Sequence, residues 1–371
     1  MRKAAFVYEK TQSMHVLRDD HVFKPSRLQL TYELLQSYGA FDISKLVAPK
    51  MPEEAELLSF HTADYVSAVH DLSDGKDRDD AVSYNISLHG DNPPYAGMYE
   101  ASALVVGASL TAADLVMSKK ADVAFNISGG LHHALPGRAS GFCIFNDAAI
   151  AIKHLVKQGY RVAYVDIDAH HGDGVQSAFY DSDKVLTISL HESGRYLFPG
   201  TGDINETGDG AGKGYSVNLP LFPKTDDEIY LWAFREIVPP LVKAFKPDVL
   251  VTQLGCDAHY LDPLTDLMLT TEGYTELVKE LSVLSPKWLA LGGGGYEMSA
   301  VFRLWTLAYG VMVGRDWPDE IPDDFRKLYG IKKLRDAEKP QIDPEMLAMA
   351  KQVARQNVTA IKRAVFHIHG L

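Results

Sequence analysis

The chain has 371 residues, of which 46% are hydrophobic and 23% charged. That is long and apolar enough for one large α/β domain or two ordinary ones, and it argues against wholesale disorder. A net charge of −12 argues against a general nucleic-acid binder, and the two cysteines, Cys143 and Cys256, form no CxxC, which excludes a disulfide scaffold and a cysteine-held zinc.

The opening MRKAAFVYEK lacks the apolar stretch of a signal peptide. No uninterrupted apolar run approaches the roughly 18 residues of a membrane span, so a cytoplasmic protein without a membrane partner is expected. Residues 4–8 read as a buried strand, followed by helical patterns over 27–37 and 98–117. Strand 123–127 leads into helix 148–157, and strands 162–167 and 185–190 follow. Helix 226–245, strand 249–254, helix 271–284, strand 288–291 and helix 299–313 complete the series. Residues 77–80 (DRDD) form a charged loop. The Gly-rich connection 192–214 has a length that is uncommon without regular structure and often functional. After Val313 the composition changes to WPDEIPDDF, a charged segment, and a helical pattern from about 345 to 365.

Strands alternating with helices predict a single-domain α/β fold, a parallel sheet sandwiched by helices, with its site at the C-terminal ends of the strands. The expected division is one catalytic domain over 1–315 and a C-terminal extension over 316–371 packed on its outside.

The densest constellation is Asp166-Ile-Asp168-Ala-His170-His171-Gly-Asp173, directly after the apolar RVAYV. Period-2 alternation puts residues 166, 168 and 170 on one face of an extended chain. A second strand ends in Gln253-Leu-Gly-Cys-Asp257 and brings another carboxylate to the same rim. Two oxygens and one nitrogen match a catalytic zinc-type site with an open position. One such triplet would be a helix cap; the whole motif with a second strand-end Asp is not. After strand 123–127 comes Gly-Gly-Leu-His132-His133-Ala. Adjacent histidines meet one site only in a turn, and imidazoles beside a metal suit acid–base work. Gly141-Phe142 and Phe198 (in LFPGTGD) add aromatics, and Leu-Gly-Gly-Gly-Gly-Tyr296 ends the last strand. Neither Gly-rich run is followed by GK[ST], so both read as turns rather than phosphate cradles. His15, His21, His61, His89 and His154 read as loop or packing residues, and His191 as a core hydrogen-bonding group.

Together, GGLHHA, ASGFCIFND, YVDIDAHHGDGVQ, SLHESGRYLFPGTGD, QLGCD and LGGGGY resemble the zinc-dependent histone deacetylase superfamily, in its order, over about residues 1–315. HVFKPSRLQLTYELL and FHTADYV resemble its bacterial acetoin-utilisation branch, whose core is class I-like. The resemblance implies the arginase/deacetylase fold. It implies Asp168, His170 and Asp257 as metal ligands and His132 and His133 as the catalytic pair, with Asp166 and Asp173 orienting them. It further implies Tyr296 as oxyanion stabiliser and Gly141, Phe142 and Phe198 as tunnel wall. Asp91 would be the rim aspartate, Leu264 an apolar gatekeeper and Arg27 an exit-channel arginine. A structural potassium ion would sit among Asp166, Asp168, His170, Ser189 and Leu190. The metal would be Zn²⁺, although Fe²⁺ or Co²⁺ fit the same ligands.

The implied reaction is hydrolysis of an N6-acetyl-lysine amide through metal-activated water, with His133 as general base and then acid and His132 acting electrostatically. The implied partner is an acetylated protein, such as acetyl-coenzyme A synthetase. The sequence does not speak to oligomeric state. Two-manganese ureohydrolase chemistry needs further carboxylates, but Gly172 and His259 stand at their places. Acetylpolyamine hydrolysis is the nearer alternative, against which Leu264 offers no acidic gatekeeper. A binder without turnover would have lost a ligand or the tyrosine, and none is lost.

Overall fold

In the computed structural model, which describes residues 2–13 and 17–371, eight parallel strands form one sheet. His15 lies outside the described residues. The strands are β1 (Ala4–Val7), β2 (Lys45–Val47), β3 (Val123–Asn126), β4 (Val162–Asp166), β5 (Val185–Glu192), β6 (Ser216–Leu221), β7 (Val249–Gln253) and β8 (Trp288–Leu291). Their order across the sheet is β2-β1-β3-β8-β7-β4-β5-β6.

Both faces of the sheet are covered, which is why most strands read as continuous apolar runs rather than as alternating ones. Phe6, Phe125, Ala163 and Val165 face one core, whereas Val7, Ala124, Val162 and Tyr164 face the other. The first core is closed by α1 (Ser26–Ser37), and the second by α2 (Glu54–Leu57), α3 (Ala63–Ser73), α4 (Met98–Met117) and α5 (Asp147–Lys157). The short α6 (Asp173–Ala178) follows β4. On the first side α7 (Asp227–Phe245), α8 (Thr271–Ser282) and α9 (Met298–Val313) complete the layer. By length and composition α4 could cross a membrane, but it is a core helix, mostly buried.

Beyond α9, α10 (Asp323–Tyr329) and α11 (Pro344–Val365) pack on the first side. Ala350, Ala354, Val358, Ile361 and Val365 form the buried stripe of α11, at helical spacing. This helix lies against α7 and the edge strand β6, where Asn357 Nδ2 donates to the Pro220 carbonyl at 2.7 Å.

The sequence patterns missed β2 and β6. β2 has three residues and is largely exposed, so no buried run marks it. β6, SVNLPL, carries Asn218 and Pro220; as an edge strand it tolerates a proline that cannot donate to a ladder.

The chain runs outward from β4 through β5 to β6, then returns to place β7 on β4's other side and β8 beyond it. The strand order therefore reverses between β4 and β7, and a crevice opens there at their C-terminal ends. In register across those ends lie Asn126, Leu291, Gln253 and Asp166.

Candidate active site

The segment after β4 departs from a simple extended chain. The strand ends at Asp166, and residues 168–170 are bent. Two carboxylates make the bend: Asp166 Oδ1 accepts from the Asp168 amide at 3.1 Å, and Asp168 Oδ1 accepts from the His170 amide at 3.0 Å. Such side-chain-to-backbone bonds two residues apart turn the chain over the crevice. Alternation thus orients Asp166 alone, and the turn brings Asp168 and His170 to their places.

There they meet Asp257 from the loop after β7. Ligand atoms of Asp168, His170 and Asp257 lie within 4.8 Å of one another, the only such group of three or more found among the described residues. His170 Nδ1 is 3.2 Å from Asp168 Oδ1 and 2.9 Å from Asp257 Oδ2. The outward oxygens are occupied: Asp168 Oδ2 accepts from Gln253 Nε2 at 2.6 Å and the Gly294 amide at 2.8 Å, and Asp257 Oδ1 accepts from the Ala169 amide at 2.7 Å. One oxygen of each carboxylate and one imidazole nitrogen therefore point inward together.

Two buried carboxylates require a balancing cation. Burial lowers His170, but the hydrogen bonds and charges of Asp168 and Asp257 push it up to about 10. Burial and the charge of Asp168 push Asp257 up to about 8. A divalent ion would balance the same charge. The O,N,O donor set, with its supporting hydrogen bonds, fits a catalytic metal with a free position.

The tandem histidines occupy a turn after β3, as adjacent imidazoles sharing one site require. His132 Nδ1 donates to Asp166 Oδ2 and His133 Nδ1 to Asp173 Oδ1, both at 2.8 Å. Their Nε2 atoms face each other at 3.1 Å. Burial lowers His132, but Asp166 and Asp168 reverse this and raise it to about 9. Burial and the charge on His132 bring His133 down to about 4, against the pull of Asp173. His132 is thus the charged member, and His133 keeps an unprotonated Nε2.

Above the triad is a cavity of about 210 Å³, lined by Asp91, His133, Gly141, Phe142, His170, Leu197, Phe198, Leu264 and Tyr296. All five residues assigned to substrate lie in this wall, and Leu197 joins them. The ring centroid of Phe198 is 5.1 Å from that of His133, and Phe142 lies 5.7 Å from Tyr296. Gly141 is needed between them: its φ is +50°, and a Cβ there would come within 2.4 Å of His133 Cδ2 and 3.0 Å of Phe198. His21 is a packing residue here: its ring lies edge-on 4.7 Å from Phe142, and its Nε2 donates to the Asp91 carbonyl at 3.2 Å.

Burial and the charges of Asp257 and Asp168 raise Tyr296 well above the usual phenol range, so its hydroxyl stays a donor. Phe142 also borders a second cavity of about 60 Å³ that Arg27 lines. The buried Arg27 guanidinium donates to the Gly295 carbonyl at 3.0 Å and lies over the rings of Phe23 and Trp305, at 4.2 and 5.0 Å. Ser189 pairs in register with Asp166; its hydroxyl bonds His191, and the Leu190 carbonyl accepts from Tyr230 at 3.1 Å. His259 turns away from the triad to Asp336, so it offers no second metal a ligand.

The motif order and this geometry agree with a direct comparison: a profile of the histone deacetylase domain matches residues 21–312. The chain belongs to the histone deacetylase family. Among its relatives in that family is the acetoin utilization protein AcuC of Bacillus subtilis (strain 168), 46% identical over 333 residues, which are 88% of this chain and 86% of that protein. The AcuC of Staphylococcus aureus (strain MRSA252) is 42% identical over 82% of this chain and 80% of its own. Type-1 histone deacetylase 1 of Dictyostelium discoideum is 38% identical over 89% of this chain and 67% of its own. The crystal structure of a histone deacetylase homologue from Aquifex aeolicus superposes with a TM-score of 0.86 at 31% identity, covering 96% of this chain and all of that one. The protein is a histone deacetylase-family hydrolase of the AcuC-like kind, with the arginase/deacetylase fold.

Sequence reasoning missed Gln253, Asn146 and Asp262. Gln253 was legible as the strand-end residue of the QLGCD motif. The others were visible only as an ordinary cap and loop residue: Asn146 Nδ2 donates to the His132 carbonyl at 3.1 Å, and Asp262 Oδ2 accepts from the Tyr296 amide at 2.8 Å.

Proposed function

We propose that this enzyme hydrolyses the acetyl amide of N6-acetyl-lysine in a protein substrate, releasing acetate and the free amine. The cavity carries this reading: Phe142, Phe198, Leu197 and Leu264 wall it, and His133, His170 and Tyr296 share its lining. An uncharged alkyl stem suits those walls, and an amide at its end would meet every reactive group at once.

A metal held by Asp168, His170 and Asp257, Zn²⁺ or else Fe²⁺ or Co²⁺, would supply Lewis acidity toward the amide oxygen and acidify water. His133 takes the water's proton at its free Nε2. A second cation beside charged His132 is disfavoured, so His133 readily passes the proton to the leaving amine. Asp173 and Asp166 hold the two rings by their Nδ1 hydrogens. Tyr296 donates to the oxyanion. Arg27 and the small second cavity would pass acetate out. A potassium ion would draw on Asp166, Asp168, His170, Ser189 and Leu190, which the pairing of Asp166 with Ser189 supports. Asp91 at the exposed rim would bind substrate backbone.

The fitting partner is an acetylated metabolic enzyme such as acetyl-coenzyme A synthetase, met in the cytoplasm. Both cysteines are free, in keeping with a reducing compartment. Acetylpolyamine hydrolysis is the second reading, and the apolar Leu264 disfavours it by offering no partner for a distal ammonium. Turnover of acetyl-lysine peptides, acetylpolyamines and arginine by the purified enzyme decides among these. Peptides are expected to be cleaved with the highest kcat/KM; preference for an acetylpolyamine would transfer the assignment to the second reading.

A further inference from the structure

Tyr296 hangs on a run of glycines, and the two nearest that leave ordinary backbone space, Gly293 and Gly295, have φ of 142° and 134°. Nothing intrinsic to that run holds the tyrosine in one direction. Its hydroxyl has no hydrogen-bond partner among the described residues, so the aim of the side chain depends on its backbone. One peptide group, the one joining Gly295 to Tyr296, is gripped from both ends by buried opposite charges. Arg27 donates to its carbonyl at 3.0 Å, and Asp262 Oδ2 accepts from its N–H at 2.8 Å. The other oxygen of Asp262 accepts from the Leu264 amide at 3.0 Å. Asp262 is itself anchored, its amide donating to the His259 carbonyl at 2.8 Å, and the Thr265 hydroxyl closes the same loop onto the Asp257 carbonyl.

We propose that Asp262 is a positioning residue that orients Tyr296 toward the substrate oxygen and ties it to the gatekeeper Leu264. The inference rests on the reading of Tyr296 as the oxyanion donor. A hydrogen bond from an amide to a carboxylate is charge-assisted, and two amides on one carboxylate lock two loops to each other. Fixing the 295–296 peptide plane fixes the N and Cα of Tyr296 and leaves only its own φ and side-chain dihedrals to set its aim. The rings of Phe142 and His170, at 5.7 and 6.3 Å, then restrict it from the sides. The gatekeeper at the tunnel wall and the donor at its floor are thereby held by the same group.

The test is a double-mutant cycle on the metal-loaded enzyme with an acetyl-lysine peptide: wild type, Asp262→Asn, Tyr296→Phe and both together. Asn keeps one acceptor but turns an NH₂ toward the other amide. Asp262→Asn is expected to lower kcat about tenfold in the wild-type background and less than about twofold where Tyr296 is already Phe. Hydrogen exchange of the peptide spanning 292–297 is expected to speed up in Asp262→Asn and to stay unchanged in Tyr296→Phe. Asp262→Glu, which keeps the charge but shifts it by one methylene, is expected to recover part of kcat, and it replaces the Asn variant should that fail to fold. Equal losses in both backgrounds, or exchange unaffected by Asp262→Asn, would overturn the proposal. Full turnover by Tyr296→Phe would instead sink the oxyanion reading, while the exchange measurement would still report on the clamp.

Discussion

Gly141 occupies a point of the cavity wall where a methyl group would meet His133. A Cβ there would lie 2.4 Å from His133 Cδ2, on a backbone with φ of +50°. Gly141→Ala is therefore expected to cost about 1–3 kcal/mol of stability and at least about tenfold in kcat/KM, because His133 or Phe198 must shift. Metal content should stay at the wild-type value; wild-type kcat/KM would show that the wall yields more easily than its contacts imply. Tyr296 is expected to separate binding from chemistry. Tyr296→Phe removes one oxyanion donor and should cut kcat by about 10²–10³ with KM little changed. Steady-state kinetics check it, and an unchanged kcat would remove the role. At this scale the sequence was most legible: the acidic residues and histidines that meet in the crevice are crowded into strand ends. Acceptors such as Asp262, which holds the Tyr296 and Leu264 amides, are common residues in loops.

The N-terminus of α5 does two things at once. Asn146 Oδ1 caps the helix by accepting from the Ala149 amide at 2.9 Å, and its Nδ2 donates to the His132 and Ala134 carbonyls at 3.1 and 3.0 Å. Its neighbour Asp147 accepts from the Gly130 and Leu131 amides at 3.0 and 2.8 Å. One helix start thus fixes the turn that lets both imidazoles face the site. Asn146→Ala should cost about 1–2 kcal/mol through the lost cap. It should also lower kcat more than KM, since the turn behind His132 loses two donors; a stability loss with intact kcat would confine Asn146 to capping. The element pattern shows the same division. Long buried strands and the longest helices announced themselves, with ends off by one or two residues, whereas α3 and the short α2, α6 and α10 went unread. The exposed β2 and the edge strand β6 lacked the apolar periodicity that makes an element readable, and became strands because β1 and β5 offered them ladders.

Across the whole molecule, Asp336 joins the C-terminal segment to the body that bears the site. Its carboxylate accepts from His259 Nε2 at 2.9 Å, the Thr271 amide at 2.8 Å and Arg303 at 2.8 Å, on three different parts of the domain. Burial pushes this carboxyl up, but the hydrogen bond and charge of His259, with Thr271 and Arg303, hold it well below the usual carboxylate range. A depressed folded-state pKa contributes stability that is complete above the unfolded value near 4 and is lost as pH falls toward the folded one. Asp336→Asn should therefore destabilise by about 3–5 kcal/mol at neutral pH, since it leaves Arg303 without its buried partner. The difference from wild type should shrink as the pH drops below about 4. Denaturant unfolding at several pH values checks this, and a gap constant down to pH 3 would contradict it.

Composition, the strand–helix alternation and the strand-end motifs by themselves determined the fold class and the family, and singled out the Asp168, His170 and Asp257 group that the fold brings together. These are local properties: burial writes periodicity into the chain, and metal and acid–base chemistry demands uncommon residues close together. Tertiary structure alone decided that β7 lies beside β4 on the side opposite β5, and that His259 turns to Asp336. It alone placed Arg27 and Asp262 on either end of one peptide group. Each of these joins residues distant along the chain, and their partners are chosen by packing, which no local pattern records.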